Sequence, residues 1–167
     1  MALSAEEFRR MMRRYPAAVT VITTGQAPDR AGMTATAVMS LSMEPVQLVC
    51  AINRSTYTHE RLVRHGRFCV NVLERGQIAV AKLFSGQGGM MGDARFGDEA
   101  WTVAPSGVPM LKGAVLAFDC RLAQCVDAGT HTLVIGEVEA GCGTQAVQPL
   151  LYLDGAWARA EKVAEPA

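Results

Sequence analysis

Residues 32–45 read GMTATAVMSLSMEP, and their alternation decides the fold class. Met33, Ala35, Ala37, Met39, Leu41 and Met43 share one parity, while Thr34, Thr36, Ser40 and Ser42 share the other, with Val38 intruding. Successive side chains of a strand point to opposite faces, so this period of two predicts one strand with an apolar face and a hydroxyl-lined face. VQLVCAIN at 46–53 follows across Glu44–Pro45 as a buried strand and its hairpin partner.

Working outward, AAVTVITT at 17–24 is a β-branched strand that ends among the turn residues Gly25, Pro28, Asp29 and Gly32. RFCVNVL at 67–73, AVLAFDCRLAQCV at 114–126, HTLVIGEVEA at 131–140 and PLLYLDGAW at 149–157 complete the strands. Three short helices are expected. The first opens with a capping box, Ser4 and Glu7, carries Phe8, Met11, Met12 and Tyr15 at helical spacing, and stops at Pro16. Its arginines 9, 10, 13 and 14 read as a solvated polar face. The second lies in NRSTYTHERLVRHG, 53–66, with Ser55 or Thr56 as N-cap and Gly66 just beyond its end. GQIAVAKLFSG, 76–86, is the third. From Ser85 to about Gly107 no period holds, which predicts a long surface loop. At least six strands with few long crossovers favour a mainly β, antiparallel barrel over a doubly wound sheet. Neither G-x-G-x-x-G after a strand nor G-x-x-x-x-G-K-[ST] occurs.

The 167 residues suit one domain, 1–167, with a single core. Lys plus Arg and Asp plus Glu both number 16, which removes any global electrostatic case for nucleic acid or an acidic membrane surface. There is no apolar run near the roughly 20 residues that cross a bilayer and no signal-peptide core, so a cytoplasmic location is expected. Five cysteines, at 50, 69, 120, 125 and 142, form an odd set without a C-x-x-C pair. Reduced structural thiols, with no disulfide framework and no metal, are the reading.

Chemistry gathers at two places. The hydroxyl face of 34–42 neighbours Asn53, Arg54, Ser55 and Thr56, where a helix begins. Unpaired amides and the positive end of a helix dipole suit a phosphate there, and Arg54 adds a donor capable of bidentate contact. The second place is His131, in GTHTLVIG at 129–136, a histidine at the mouth of a β-branched strand between two glycines. No nucleophilic triad accompanies it, and His59 and His65, six apart, lack the spacing of a helical metal pair.

The succession FRRMMRRYPAAVTVITT, GMTATAVMSLSMEPVQLVCAINRST, FCVNVLERGQIAVAKLFSG, RFGDEAW, GVPMLKGAVLAFDCRL, GTHTLVIGEVEA and PLLYLDGAW resembles, in order from about residue 8 to 157, the flavin reductase family of the FMN-binding split barrel. That family supplies the reductase component of two-component flavin monooxygenases. The resemblance implies a homodimeric Greek-key split β-barrel with short flanking helices that binds FMN or FAD and oxidises NADH or NADPH. It implies that Thr34, Ala35, Thr36 and Ala37 lie along the isoalloxazine ring, with Ser40 and Ser42 reaching the ribityl–phosphate region. Asn53, Arg54, Ser55 and Thr56 would surround the phosphate, Phe84, Ser85 and Gly86 would close over the flavin, and His131 would position the nicotinamide. Position 130 is Thr where the family often has Asp, and SGQGGMMGD at 85–93 has no clear counterpart. The absence of a basic patch for a 2′-phosphate favours NADH.

The expected function is therefore an NAD(P)H:flavin oxidoreductase that hands reduced flavin to a partner monooxygenase. Three alternatives stand beside it. A pyridoxamine-phosphate oxidase would need several basic groups for a second phosphate. A non-catalytic flavin- or haem-binding module would use His131 as a haem ligand, and a pure interaction protein would dock through the arginine helix.

Overall fold

The computed structural model describes residues 2–97, 99–145 and 148–164. The ends of the expected 1–167 domain, with residues 98 and 146–147, lie outside that description. In chain order the elements are α1 (Ala5–Met12), β1 (Ala17–Ala18), β2 (Thr20–Thr24), β3 (Ala31–Ala35), β4 (Val38–Met43), β5 (Val46–Asn53), α2 (Tyr57–His65), β6 (Arg67–Val72) and α3 (Ile78–Phe84). A 3-10 turn (Gly92–Arg95), β7 (Trp101–Val103), β8 (Pro109–Leu111), β9 (Leu116–Ala128), β10 (His131–Gly143), β11 (Leu150–Leu153) and β12 (Ala156–Arg159) follow.

Seven strands form one antiparallel sheet in the order β3-β2-β6-β9-β10-β5-β4. Its two edges, β3 and β4, are separated along the chain only by Thr36 and Ala37. Edges joined by so short a link must come together, so the sheet curls into a barrel whose seam lies at residues 36–37. The fold is the mainly β split barrel with short helices that the sequence leads one to expect.

The opening stretch is therefore not one strand. Residues 31–35 pair with β2, residues 38–43 pair with β5, and the chain crosses the seam between them. Met33 and Ala35 pack against the core. On β4, by contrast, Met39, Leu41 and Met43 are 62 %, 46 % and 72 % exposed, because this edge strand has nothing on its apolar side in a single chain. The expected hairpin with β5 does form, turning at Glu44–Pro45 with a register shift between Ser40 and Ser42.

Two clusters fill opposite faces of β2. Ile22 joins Leu48, Ile52, Leu62, Phe68 and Val134, while Val21 joins Leu73, Phe84, Phe96 and Trp101. Close approach at β10 requires glycine, because a Cβ on Gly136 would sit 2.3 Å from Cζ of Phe68. The capping box of α1 is present, with the Glu7 amide donating to Ser4 Oγ at 3.2 Å, yet no residue of this helix is buried. PLLYLDGAW is a hairpin, β11–β12, turning where Asp154 and Gly155 both have positive φ. The expected surface loop at 85–107 also differs. Phe96, Trp101 and Ala104 are buried, and Phe84, Phe96 and Trp101 form an aromatic trio with centroids 4.9–5.3 Å apart. Apolar area hidden by these rings fixes a segment whose sequence has no period.

Candidate functional site

The turn leaving β5 organises itself through short side chains. Asn53 Oδ1 accepts from the Ser55 amide at 2.9 Å and from Ser55 Oγ at 2.8 Å. Thr56, not Ser55, is the N-cap of α2, its Oγ1 accepting from the His59 amide at 3.2 Å. The amides before it, of Tyr57 and Thr58, are among the orphan donors of a helix start, and both residues line a groove.

That groove is made of adjoining cavities. One, of about 360 Å³, lies between Gly32–Thr34, Thr56–Thr58, Phe84–Gly86 and Arg95. It meets a second, of about 300 Å³, at Thr34 and Ser85, and there Ala35, Thr36 and Trp157 continue the wall. On the other side a shallow depression at Arg54–Tyr57 shares Thr56 and Tyr57 with the first. β3 supplies one wall, the end of α3 another, and α2 the far end.

Thr34 Oγ1 donates to the Ala81 carbonyl at 2.7 Å, which ties β3 to α3 and leaves the groove wall here to backbone and methyl. Thr36 and Ala37 lie between β3 and β4 at the exposed seam; the Ala37 carbonyl accepts from the Ala51 amide of β5 at 3.0 Å, while the amides of both residues are not committed to strand pairing. Phe84 packs edge-on over Gly32, which has no room for a Cβ (2.7 Å to Phe84 Cε1). Ser85 and Gly86 follow as a turn, with Gly86 at φ 91°.

His131 lies directly across from Asn53 in the β10–β5 ladder. The Arg54 amide donates to the Thr130 carbonyl at 3.1 Å, so the histidine borders the start of α2. Thr130 Oγ1 lies 2.9 Å from His131 Nδ1. Arg54 reaches Asp127 at 3.2 Å while remaining half exposed.

The structure thus gathers Thr34, Ala35 and Thr36 with Phe84, Ser85, Gly86 and Thr56, and sets Asn53, Arg54, Ser55 and His131 beside them. Ala37 adjoins the groove at the seam. Ser40 and Ser42 stand apart on β4 and line none of these cavities; Ser42 Oγ accepts from the Glu44 amide at 3.2 Å and serves the hairpin. Tyr57, Met91 and Arg95 line the groove without having been singled out from the sequence. Tyr57 was legible as the first helical residue after a cap. Arg95 lay in a segment whose lack of period hid its fixed position.

The charges around the groove are mostly paired. Asp29 takes Arg61, Arg64 and His65. Desolvation pushes its carboxyl up, but the hydrogen bond from His65 and the charges of Arg61 and Arg64 outweigh this and hold it below the usual carboxylate range. The Arg30 guanidinium, hydrogen-bonded to Asp93 at 2.5 and 3.0 Å, lowers that carboxyl likewise. His59 is engaged by Thr132 Oγ1 at 2.9 Å. Cys50, Cys69 and Cys120 are buried, and burial pushes the Cys50 thiol up to about 12, which suits packing and not nucleophilic chemistry.

Residues 12–161 match the family model described as flavin reductase like domain. The chain is 43 % identical over 150 residues to the reductase component of an FADH(2)-dependent resorcinol hydroxylase from Rhizobium sp. strain MTP-10005, covering 88 % of this chain and 82 % of that one. It is 40 % identical over 152 residues to an FMN reductase (NADH), RutF, from Variovorax paradoxus, covering 91 % and 83 %. Among solved structures it resembles the NADH:FAD oxidoreductase SgcE6 of Streptomyces globisporus in complex with NAD and FAD fragments. The TM-score is 0.88, with 28 % identity over 99 % of both chains.

Proposed function

The chain belongs to the flavin reductase-like family, and from that premise we propose that its groove holds a flavin while NADH delivers a hydride to it. The protein is an oxidoreductase that reduces FMN or FAD with NADH and supplies reduced flavin to a partner monooxygenase, as its relatives' names describe for them. One observation carries the reading: a single groove joins uncommitted seam amides, a glycine turn and a capped helix start. A flat ring with a phosphate tail needs those parts.

The residues fit the group. Cavities of about 360 and 300 Å³ fall at the size of ordinary small-molecule sites. The seam at Thr36 and Ala37 offers amides to the ring edge, and the start of α2 with Arg54 offers donors to the phosphate. When bound, the flavin supplies the hydride-accepting ring, so the protein needs no acid–base pair of its own.

The chain's residues then do four things. Thr34–Ala37 hold the ring, and the amides at the seam stabilise the negative charge that develops at its edge. Asn53–Thr56 hold the phosphate. Phe84–Gly86 would cover the ring and limit water, and His131, braced by Thr130, would orient the nicotinamide nucleotide so that its hydride-donating carbon stays against the ring. The described chain works as one domain, as a homodimer whose second copy covers β4. A cytoplasmic location suits it, and among the described residues no helix is long and apolar enough to cross a membrane.

The test is steady-state NADH oxidation by the purified chain with FMN, FAD or no flavin, and with NADPH in place of NADH. Flavin-dependent turnover that is faster with NADH supports the reading. Consumption of neither nucleotide by a folded chain overturns it.

A further inference from the structure

One cation in the groove differs from those around it. Arg95 ends the 3-10 turn, is partly buried, and lines the same cavity as Thr34, Thr56 and Ser85. Its Nε donates to the Met90 carbonyl at 2.6 Å, its Nη1 donates to the Gly32 carbonyl at 3.3 Å, and its guanidinium lies 5.9 Å from the Phe84 ring centroid. Both acceptors are neutral. The nearby arginines each reach a carboxylate: Arg30 binds Asp93, Arg54 binds Asp127, and Arg61 and Arg64 converge on Asp29. Among the described residues Arg95 makes no ion pair. A guanidinium carries five donors in a planar fork, so the bonds to Met90 and Gly32 leave most of it for another acceptor.

Its position is fixed before any ligand arrives. Asp93, two residues earlier, is clamped by Arg30, and Phe96, the next residue, is buried in the aromatic trio. A charge held in place on a cavity wall, partly out of water and, among the described residues, facing no acid, is set up for an anion, and little ordering is lost when the anion binds.

We propose that Arg95 is a ligand-binding residue that takes a phosphate oxygen of the nucleotide in the groove. The inference rests on the flavin reductase reading and adds to it a second anion contact on a different element from the Asn53–Thr56 turn. The chemistry it recognises is a phosphate monoester or pyrophosphate, carried by the flavin or by the nicotinamide dinucleotide.

The experiment compares wild type with Arg95→Met in the full chain. Dissociation constants are measured for riboflavin, FMN and FAD, and KM for NADH at saturating flavin, with thermal unfolding as a check of the fold. Riboflavin has the ring without phosphate. If the phosphate belongs to the flavin, FMN and FAD bind roughly tenfold or more weakly to the variant, while riboflavin changes less than about twofold. If it belongs to the nicotinamide dinucleotide, KM for NADH rises by that factor and flavin binding holds. Arg95→Lys recovers part of either loss. Should Arg95→Met not fold, Arg95→Gln, which keeps donors for the two carbonyls, carries the same comparison. An equal loss for riboflavin and FMN, or no change in any of these constants, overturns the assignment and leaves the reductase reading standing. A wild-type chain that neither binds flavin nor oxidises NADH overturns both.

Discussion

Asn71 joins three strands from inside the protein, its Nδ2 donating to the Val21 carbonyl at 3.0 Å and its Oδ1 accepting from the Leu111 amide at 2.8 Å. It is fully buried, so Asn71→Ala leaves the Leu111 amide without its partner or water and opens a polar-lined cavity. We expect roughly 2–4 kcal/mol of lost stability in denaturant unfolding; a loss within the error of the measurement would contradict that role. The sequence does not single out Asn71 within RFCVNVL, because what satisfies it comes from strands about 40–50 residues away. His131 was legible as a boundary residue, but its pairing across from Asn53 was not, since register between distant strands is set by the whole sheet. Loss of one orienting contact of about 1 kcal/mol makes His131→Ala raise KM for NADH about fivefold. Flavin affinity should change less than twofold, and an unchanged KM would remove His131 from nicotinamide positioning.

At the scale of elements, period and caps told the truth locally. The α1 capping box, the Thr56 and Gly66 caps of α2 and the β4–β5 hairpin all read correctly, because each depends on residues within a few positions. The seam at residues 36–37 did not, since a period of two is the same whether a strand continues or crosses from one sheet edge to the other. Nor did the 90–96 segment, which is ordered by Phe96 packing and by the Arg30–Asp93 pair and not by any local pattern. A carboxyl lowered in the folded state adds stability that is present above its ordinary value and lost as pH falls through the lowered one. The stability gap between wild type and Asp93→Asn should therefore hold from neutral pH down to about pH 5 and shrink below about pH 4. A gap that instead widened on acidification would contradict the pairing. The exposed Met39, Leu41 and Met43 of β4 argue for a covering second copy. If a second copy covers this face, as we propose, Leu41→Asp gives a monomer by light scattering where the wild type gives a dimer, and a dimer unchanged by the substitution would move the interface elsewhere.

For the whole molecule, strand-rich patterning with few long crossovers led to a mainly β barrel, and the collinear blocks led to the flavin reductase family that residues 12–161 match. The groove was half legible. Thr34–Thr36, Thr56 and Phe84–Gly86 of its walls were named as site residues from the sequence, whereas Tyr57, Met91 and Arg95 were not, because they reach it through the folding of α2 and the 90–96 segment against β3. Hydride transfer from NADH to flavin is the central claim. The measurement that tests it most directly is anaerobic mixing of the chain with stoichiometric FMN or FAD and NADH, following oxidised flavin and NADH absorbance together. We predict that both fall in step, one flavin reduced for each NADH consumed, at a rate set by protein concentration. Flavin that stays oxidised while NADH persists, with a folded chain present, would contradict the account.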